Sequence, residues 1–136
     1  MDKTSVTGRA IVKGAWQEDF SFSPAVVTQG GRTIWLAGHT GQKSDDGRSL
    51  AGDFEAQTRQ TFRNIEATLA AAGGSLADLV SMTVFLIDAR YSRAMTDLRK
   101  DILKRDFPAS AAITVAGFAH PDMMIEIQAV AVVPDR

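Results

Sequence analysis

Few side chains in this sequence can carry chemistry, and Glu126 has the most telling surroundings. It sits in the run Ile125-Glu126-Ile127-Gln128-Ala129-Val130, where a strand carboxylate among apolar residues needs a partner or a purpose. Desolvated, it serves as an acid or base in proton transfer; paired with an arginine across a subunit interface, it is structural. The chain has no Cys, which excludes disulfides, thiolate metal sites and cysteine nucleophiles. His39 and His120 are its two histidines. A zinc site usually needs three or four protein ligands, so a zinc centre is not expected. Either histidine can supply an acid or a donor near neutral pH. His39 follows a strand-ending glycine, and His120 lies in the loop Phe118-Ala119-His120-Pro121-Asp122. The alternative for each is an ordinary surface residue.

Ser110 ends Phe107-Pro108-Ala109-Ser110 and has no His–acid arrangement near it in sequence, which excludes a triad nucleophile. It is either a hydrogen-bond donor to a substrate or a filler. Trp35, Phe85 and Phe118 can line an apolar pocket, though aromatics in alternating strands more often build a core. Arg32, Arg90 and Arg93 are read as solvated arginines before they are read as anion ligands. Gly30-Gly31 and Gly73-Gly74 are a turn and a helix end, not a phosphate cradle, because neither has the strand–loop–helix context a cradle requires.

The elements that must position these residues follow from periodicity. Residues 9–13 and 20–28 read as extended, and 33–38 as a stronger strand. Lys43 to Gly47 is a polar, mobile loop. Asp53 caps a helix in which Phe54, Thr58, Phe62, Ile65 and Leu69 recur at helical spacing, ended by Gly73-Gly74. After the single turn begun at Ser75, residues 80–88 form a buried strand. A second helix over 91–105 carries the stripe Tyr91, Met95, Leu98 and Ile102, with Pro108 beyond its end. Residues 111–118 and 123–133 are two further strands. In the last, Met124, Glu126, Gln128 and Val130 share one face, while Ile125, Ile127, Ala129 and Ala131 share the other.

The order β-β-β-α-β-α-β-β describes a single α+β domain over 1–136 without repeats or linkers. Two helices cover one sheet face, and the opposite face needs a cover that self-association supplies. Fifteen Lys and Arg against sixteen Asp and Glu leave a net charge of -1, which argues against nucleic-acid or membrane-surface partners. The polar N-terminus lacks the apolar centre of a signal peptide, and no run reaches the roughly 20 residues of a bilayer span. A cytoplasmic protein is expected.

Three segments together resemble the RidA/YjgF (enamine/imine deaminase-like) family: residues 55–88, Phe107-Pro108-Ala109-Ser110, and the terminal run 125–132. Ala37-Gly38-His39 is a weaker fourth match. The resemblance implies a chorismate-mutase-like fold, with one mixed sheet of about six strands and two helices on one face. It also implies a homotrimer with three clefts between neighbouring subunits and no cofactor. In the family's deaminating branch, an arginine anchors the substrate carboxylate and a glutamate positions the attacking water. Glu126 falls on the position of that glutamate. Ser110 stands where the arginine is expected and offers one hydrogen bond in place of a charged fork. Ala37, Gly38 and His39 occupy the Ser-Gly-Gln position, Thr96 that of an asparagine, and Ala112 that of a small polar or thiol residue. The pocket tyrosine is unmatched around Ser23-Pro24-Ala25. The candidate cleft therefore gathers Glu126 with Ser110, Ala37, Gly38, His39, Phe85, Thr96, Ala112 and His120.

Two functions follow as expectations. The first is hydrolytic deamination of a small enamine or imine, or of an aminomuconate-like ring-cleavage product, with Glu126 positioning water. The second is a non-catalytic, metabolite-binding or regulatory trimer, suggested by the loss of the arginine. RNA cleavage, attributed to some relatives, ranks last because phosphate binding requires clustered cations.

Overall fold

The structure, a computed structural model, describes residues 8–135. The first seven residues, part of the polar stretch read as lacking a signal peptide, and Arg136 lie outside them. The chain forms β1 (Gly8–Val12), β2 (Ala25–Gln29), β3 (Arg32–Trp35), α1 (Phe54–Ala71), β4 (Leu79–Leu86), α2 (Ser92–Leu103), β5 (Ala109–Thr114) and β6 (Ile125–Val133). This is the element order expected from the sequence. Among the described residues, no helix is long and apolar enough to cross a membrane.

Helix α1 starts where Asp53 accepts a hydrogen bond from the Ala56 amide at 3.0 Å. It ends in a Schellman closure, with Gly73 at φ +85° and the Gly74 amide donating to the Leu69 carbonyl at 2.7 Å. Phe54, Thr58, Phe62, Ile65 and Leu69 are all buried, as their spacing requires. In α2, Met95 and Leu98 are buried while Tyr91 and Ile102 pack partly buried at the margin of the core. The Tyr91 ring, which precedes α2, stacks on Phe54 at 4.4 Å between centroids.

Four strands form one mixed sheet in the order β3-β6-β4-β5. β6 runs antiparallel to both of its neighbours, and β4 pairs parallel with β5 across the α2 crossover. The helices lie on the face made by Met82, Val84 and Leu86 of β4 and Ile125, Ile127, Ala129 and Ala131 of β6. Each of the larger side chains contributes about 1.5–3 kcal/mol by burial.

The expected single sheet of about six strands is instead four strands plus a separate antiparallel ribbon, β1-β2. Ser23 makes a lone parallel bridge to Ala109, its amide donating to the Pro108 carbonyl. The next residue, Pro24, has no N–H to extend that ladder, so the chain turns away and pairs with β1. Several boundaries differ as well. Residues 17–20 form a 3-10 turn that delays β2 to Ala25. β5 begins two residues earlier than expected and ends at Thr114, and β6 begins at Ile125.

The loop 43–47 is anchored, contrary to the mobile stretch expected there. Asp45 accepts from Gln60 Nε2 at 2.7 Å and pairs with Arg63, and these contacts hold its carboxyl below the usual range. Asn64 Nδ2 donates to the Thr40 carbonyl. Buried Gln57 ties two loops to α1, donating to the Leu50 and Asp122 carbonyls and accepting from the Met124 amide.

Candidate functional site

Glu126 projects from β6 on the face opposite the helices. It is paired in register with Phe85 of β4, which pairs in turn with Ile113 of β5. The next row on this face is Gln128, Thr83 and Ala111. Trp35 of β3 stands beside Val130 and is 79% exposed. The core role expected for Trp35 is therefore corrected: β3 alternates so that Ile34 faces inward, which puts Trp35 on the uncovered side. Phe85 and Phe118 are half-buried. Glu126 itself is half-buried, and its carboxylate has no hydrogen bond or ion pair among the described residues.

Gly38 explains how that carboxylate is accommodated. A Cβ built on Gly38 would lie 2.0 Å from Glu126 Oε2, so the carboxylate can occupy this position only while residue 38 carries no side chain. Ala37 is exposed beside it. His39 turns to the other face. Its backbone exchanges two hydrogen bonds with Ile127, and its ring meets Thr68 Oγ1 of α1 through Nε2 and the Ala37 carbonyl through Nδ1, both at 2.8 Å. The residue adjacent in sequence to Gly38 is thus kept away from Glu126 by strand alternation.

Ser110 and Ala112 also lie on the helix side, in register with Met82 and Val84. Ser110 Oγ accepts from Arg99 Nη1 at 2.8 Å. Arg99, from α2, is only 2% exposed. Its Nε donates to Ser21 Oγ at 3.0 Å and its Nη2 to the Phe20 carbonyl at 3.1 Å, and the Phe22 ring lies 6.0 Å away. Ser21 Oγ donates to the carbonyl of buried Thr96 at 2.8 Å. No carboxylate among the described residues meets Arg99. Burial pushes its guanidinium down to about 10, a bias of roughly 3 kcal/mol against the charged form that still leaves it protonated at neutral pH. His120 is exposed in its loop, 4.0 Å from Asp122.

Arg99 was not among the arginines singled out from the sequence. The signal was present: residues 95, 98, 99 and 102 follow i, i+3, i+4, i+7, so Arg99 lies inside the apolar stripe of α2. The three arginines that were considered are occupied elsewhere. Arg90 pairs with Asp88 and Arg93 with Asp97, and Arg32 donates to the Ala72 carbonyl.

His39 is held against α1 and His120 stays in its exposed loop; the remaining candidates fall into two groups on opposite faces of one sheet. Glu126, Gly38 and Phe85 form an uncovered acid-bearing surface. Ser110, Ala112, Thr96 and Arg99 form a hydroxyl-rich edge around a buried cation. Proton transfer is available to the first group and anion binding to the second, and within one protomer they do not meet.

The family model described as Endoribonuclease L-PSP matches residues 15–133. The chain is 32% identical over 111 residues to the 2-iminobutanoate/2-iminopropanoate deaminase of Homo sapiens, covering 82% of this chain and 79% of that protein. It is 35% identical over 101 residues to a RutC family protein of Pyrococcus horikoshii, covering 74% and 79%. Among solved structures, the Rid-family protein YyfB from Yersinia pestis superposes with a TM-score of 0.81 at 27% identity, over 92% of this chain and 98% of that one. RidA from an Antarctic Psychrobacter superposes with a TM-score of 0.70 at 27% identity, over 98% and 97%.

Proposed function

The chain belongs to the Endoribonuclease L-PSP family, the RidA/YjgF group, and on that premise we propose that it hydrolyses a small enamine or imine in clefts shared between the subunits of a homotrimer. The observation that carries this reading is Glu126: a half-buried carboxylate with no partner among the described residues, beside a glycine whose missing side chain leaves it room. A structural glutamate would be expected to hold an arginine or a backbone amide instead. Similarity to deaminases acting on 2-iminobutanoate and 2-iminopropanoate supports the reaction class.

An imine carbon is already electrophilic, so orientation and proton transfer supply most of what hydrolysis needs. Glu126 accepts a proton from water as the water oxygen bonds to the C=N carbon, and passes that proton to the nitrogen, giving a neutral carbinolamine. The carbinolamine collapses when Glu126 takes the hydroxyl proton and delivers it to the amino nitrogen: the C=O bond forms, the C–N bond breaks, ammonia and a carbonyl compound leave, and Glu126 is again a carboxylate. A conjugated substrate such as an aminomuconate-like ring-cleavage product reaches the same carbinolamine through its imine tautomer.

The assembly belongs to the same proposal. An exposed tryptophan, Phe85, Val130 and Ile113 on an uncovered sheet face favour self-association. Laying the β5 edge of one copy against the acid-bearing face of the next brings the two residue groups together.

Binding without turnover is the second reading, favoured by Ser110, whose hydroxyl is already engaged by Arg99. RNA cleavage finds no support in the surface charges, since Arg59, Arg63, Arg90 and Arg93 each pair with an acid. The deciding experiment is ammonia release from enzymatically generated 2-iminobutanoate and 2-aminoacrylate, alongside an aminomuconate-type substrate. Wild type is expected to accelerate release, and Glu126→Gln to slow it about 100-fold or more. Release unchanged in Glu126→Gln would refute the mechanism. Stabilisation by a carbonyl analogue without any release would favour the binding module.

A further inference from the structure

A second concavity lies away from Glu126, at the far end of the sheet. It is a cavity of about 380 Å³ between β1, the turn before β4 and the segment that leads from α2 into β5. Leu79 in its wall is six residues along β4 from Phe85, the partner of Glu126, which places it about 20 Å from the acid. Leu76, Leu79 and Leu103 belong to the helix-side packing, so the cavity does not open on the sheet face that favours self-association. Arg9, Lys104 and Arg105 converge on it, and Asp106 is the one carboxylate among the described residues that line it.

None of the three cations meets a carboxylate among the described residues. Arg9 is half-buried. Its Nη1 donates to the Ala77 carbonyl and its Nη2 to the Asp106 carbonyl, while Nε is buried without an acceptor. Among the described residues, Lys104 Nζ reaches only the Asp101 carbonyl, at 3.2 Å, and the Arg105 side chain has no partner. Positive φ at Lys104 (72°) and Asp106 (52°) coils the backbone, which lets three consecutive side chains reach one cavity. A structural clamp accounts for Arg9 alone. Gathering two further cations beside it costs mutual repulsion that an added anion offsets. The lining residues leave two positive charges in excess, matching a phosphate monoester, which carries nearly two negative charges at neutral pH. A phosphodiester carries one. Ile11, Leu76, Leu103 and Pro108 give the same cavity apolar walls, suited to a carbon body on that phosphate.

We propose that this cavity binds a small phosphate monoester with an apolar body, held by Arg9, Lys104 and Arg105. Arg9 is the fixed end of the site, oriented by its two carbonyls, and each of its terminal nitrogens keeps a second N–H for a phosphate oxygen. Lys104 and Arg105 close on the anion from exposed positions. The site stands apart from the deaminase reading, because it uses none of the residues around Glu126.

The test is titration of phenyl phosphate into the intact wild-type assembly, read by calorimetry and by the methyl resonances of Ile11, Leu76 and Leu103 in ¹³C-labelled protein. One phenyl phosphate per chain is expected to bind and move those resonances. Inorganic phosphate should bind at least tenfold more weakly, and phenol not at all. Lys104 and Arg105 are exposed, so the double variant Lys104→Gln/Arg105→Gln should fold and bind tenfold or more weakly. Lys43→Gln, which removes an exposed charge elsewhere, should bind as wild type. Glu126→Gln should also bind as wild type, whatever its ammonia release, so failure of either reading leaves the other standing. Binding that leaves the three methyl groups unmoved, equal loss in Lys43→Gln, equal affinity for inorganic phosphate, or no binding overturns the assignment. Tighter binding of a short oligoribonucleotide at the same methyl groups would assign the cations to a polynucleotide and overturn it as well.

Discussion

The contact between Gly38 and Glu126 isolates the acid from the fold. The atom a new Cβ meets is the mobile end of the glutamate side chain, so Gly38→Ala should fold normally and displace only the carboxylate. Its melting temperature should stay within a few degrees of wild type, while ammonia release falls about tenfold or more. Arg99 gives a pH prediction. Its folded pKa is lowered to about 10 by burial, so the folded protein gives up this proton as pH rises through about 10. The unfolded chain keeps this proton to higher pH, so deprotonation in the folded state relieves desolvation and stability rises as pH climbs above about 10. Unfolding measured across pH 8–11 checks the sign. Glu126 was legible from sequence because a lone acid breaks an apolar alternation. Arg99 was overlooked because a long side chain on a helix is readily read as reaching solvent, its stem alone lying on the core.

Among the elements, the helices and the β4–β6 pairing were legible because each carries a clean period and recognisable ends. The six-stranded sheet was not, because a strand beside a proline reads as extended without revealing which neighbour it can bond. The anchored loop was hidden for a related reason: Gln57, Gln60 and Asn64 look like a polar helix face until the backbone they hold is known. Gln57→Leu would leave two carbonyls and the Met124 amide without their partner. A loss of about 3 kcal/mol is expected in urea unfolding, with the 39–53 and 122–124 segments gaining hydrogen exchange first. Asp88, which caps the turn before α2, offers a milder acid-side test. Arg90 holds its carboxyl at about 2, below the ordinary 3.8. Its contribution is present above pH 3.8 and is lost as pH falls toward 2. Asp88→Asn should flatten that stretch of the acid stability curve, by a small amount because the pair is in water.

For the whole molecule, the sheet divides the candidate residues between its faces, a division that side-chain alternation predicts strand by strand but that a list of matched positions conceals. Glu126 and the Ser110–Arg99 edge can serve one substrate only if different copies supply them. Interface packing across the Trp35 face follows from the same arrangement, and Trp35→Asp is expected to shift the assembly toward monomer and abolish activity together, read by sedimentation and ammonia release. The most direct test of the shared cleft is subunit complementation. Glu126→Gln removes the acid and Ala112→Trp fills the β5 wall, and each variant alone should be inactive. Mixed equally, dissociated and reassembled, they should recover about one quarter of wild-type ammonia release, because one cleft in four would take both intact halves from different subunits. Mixed assemblies that form yet remain inactive would show that one subunit supplies the entire site, contradicting the account.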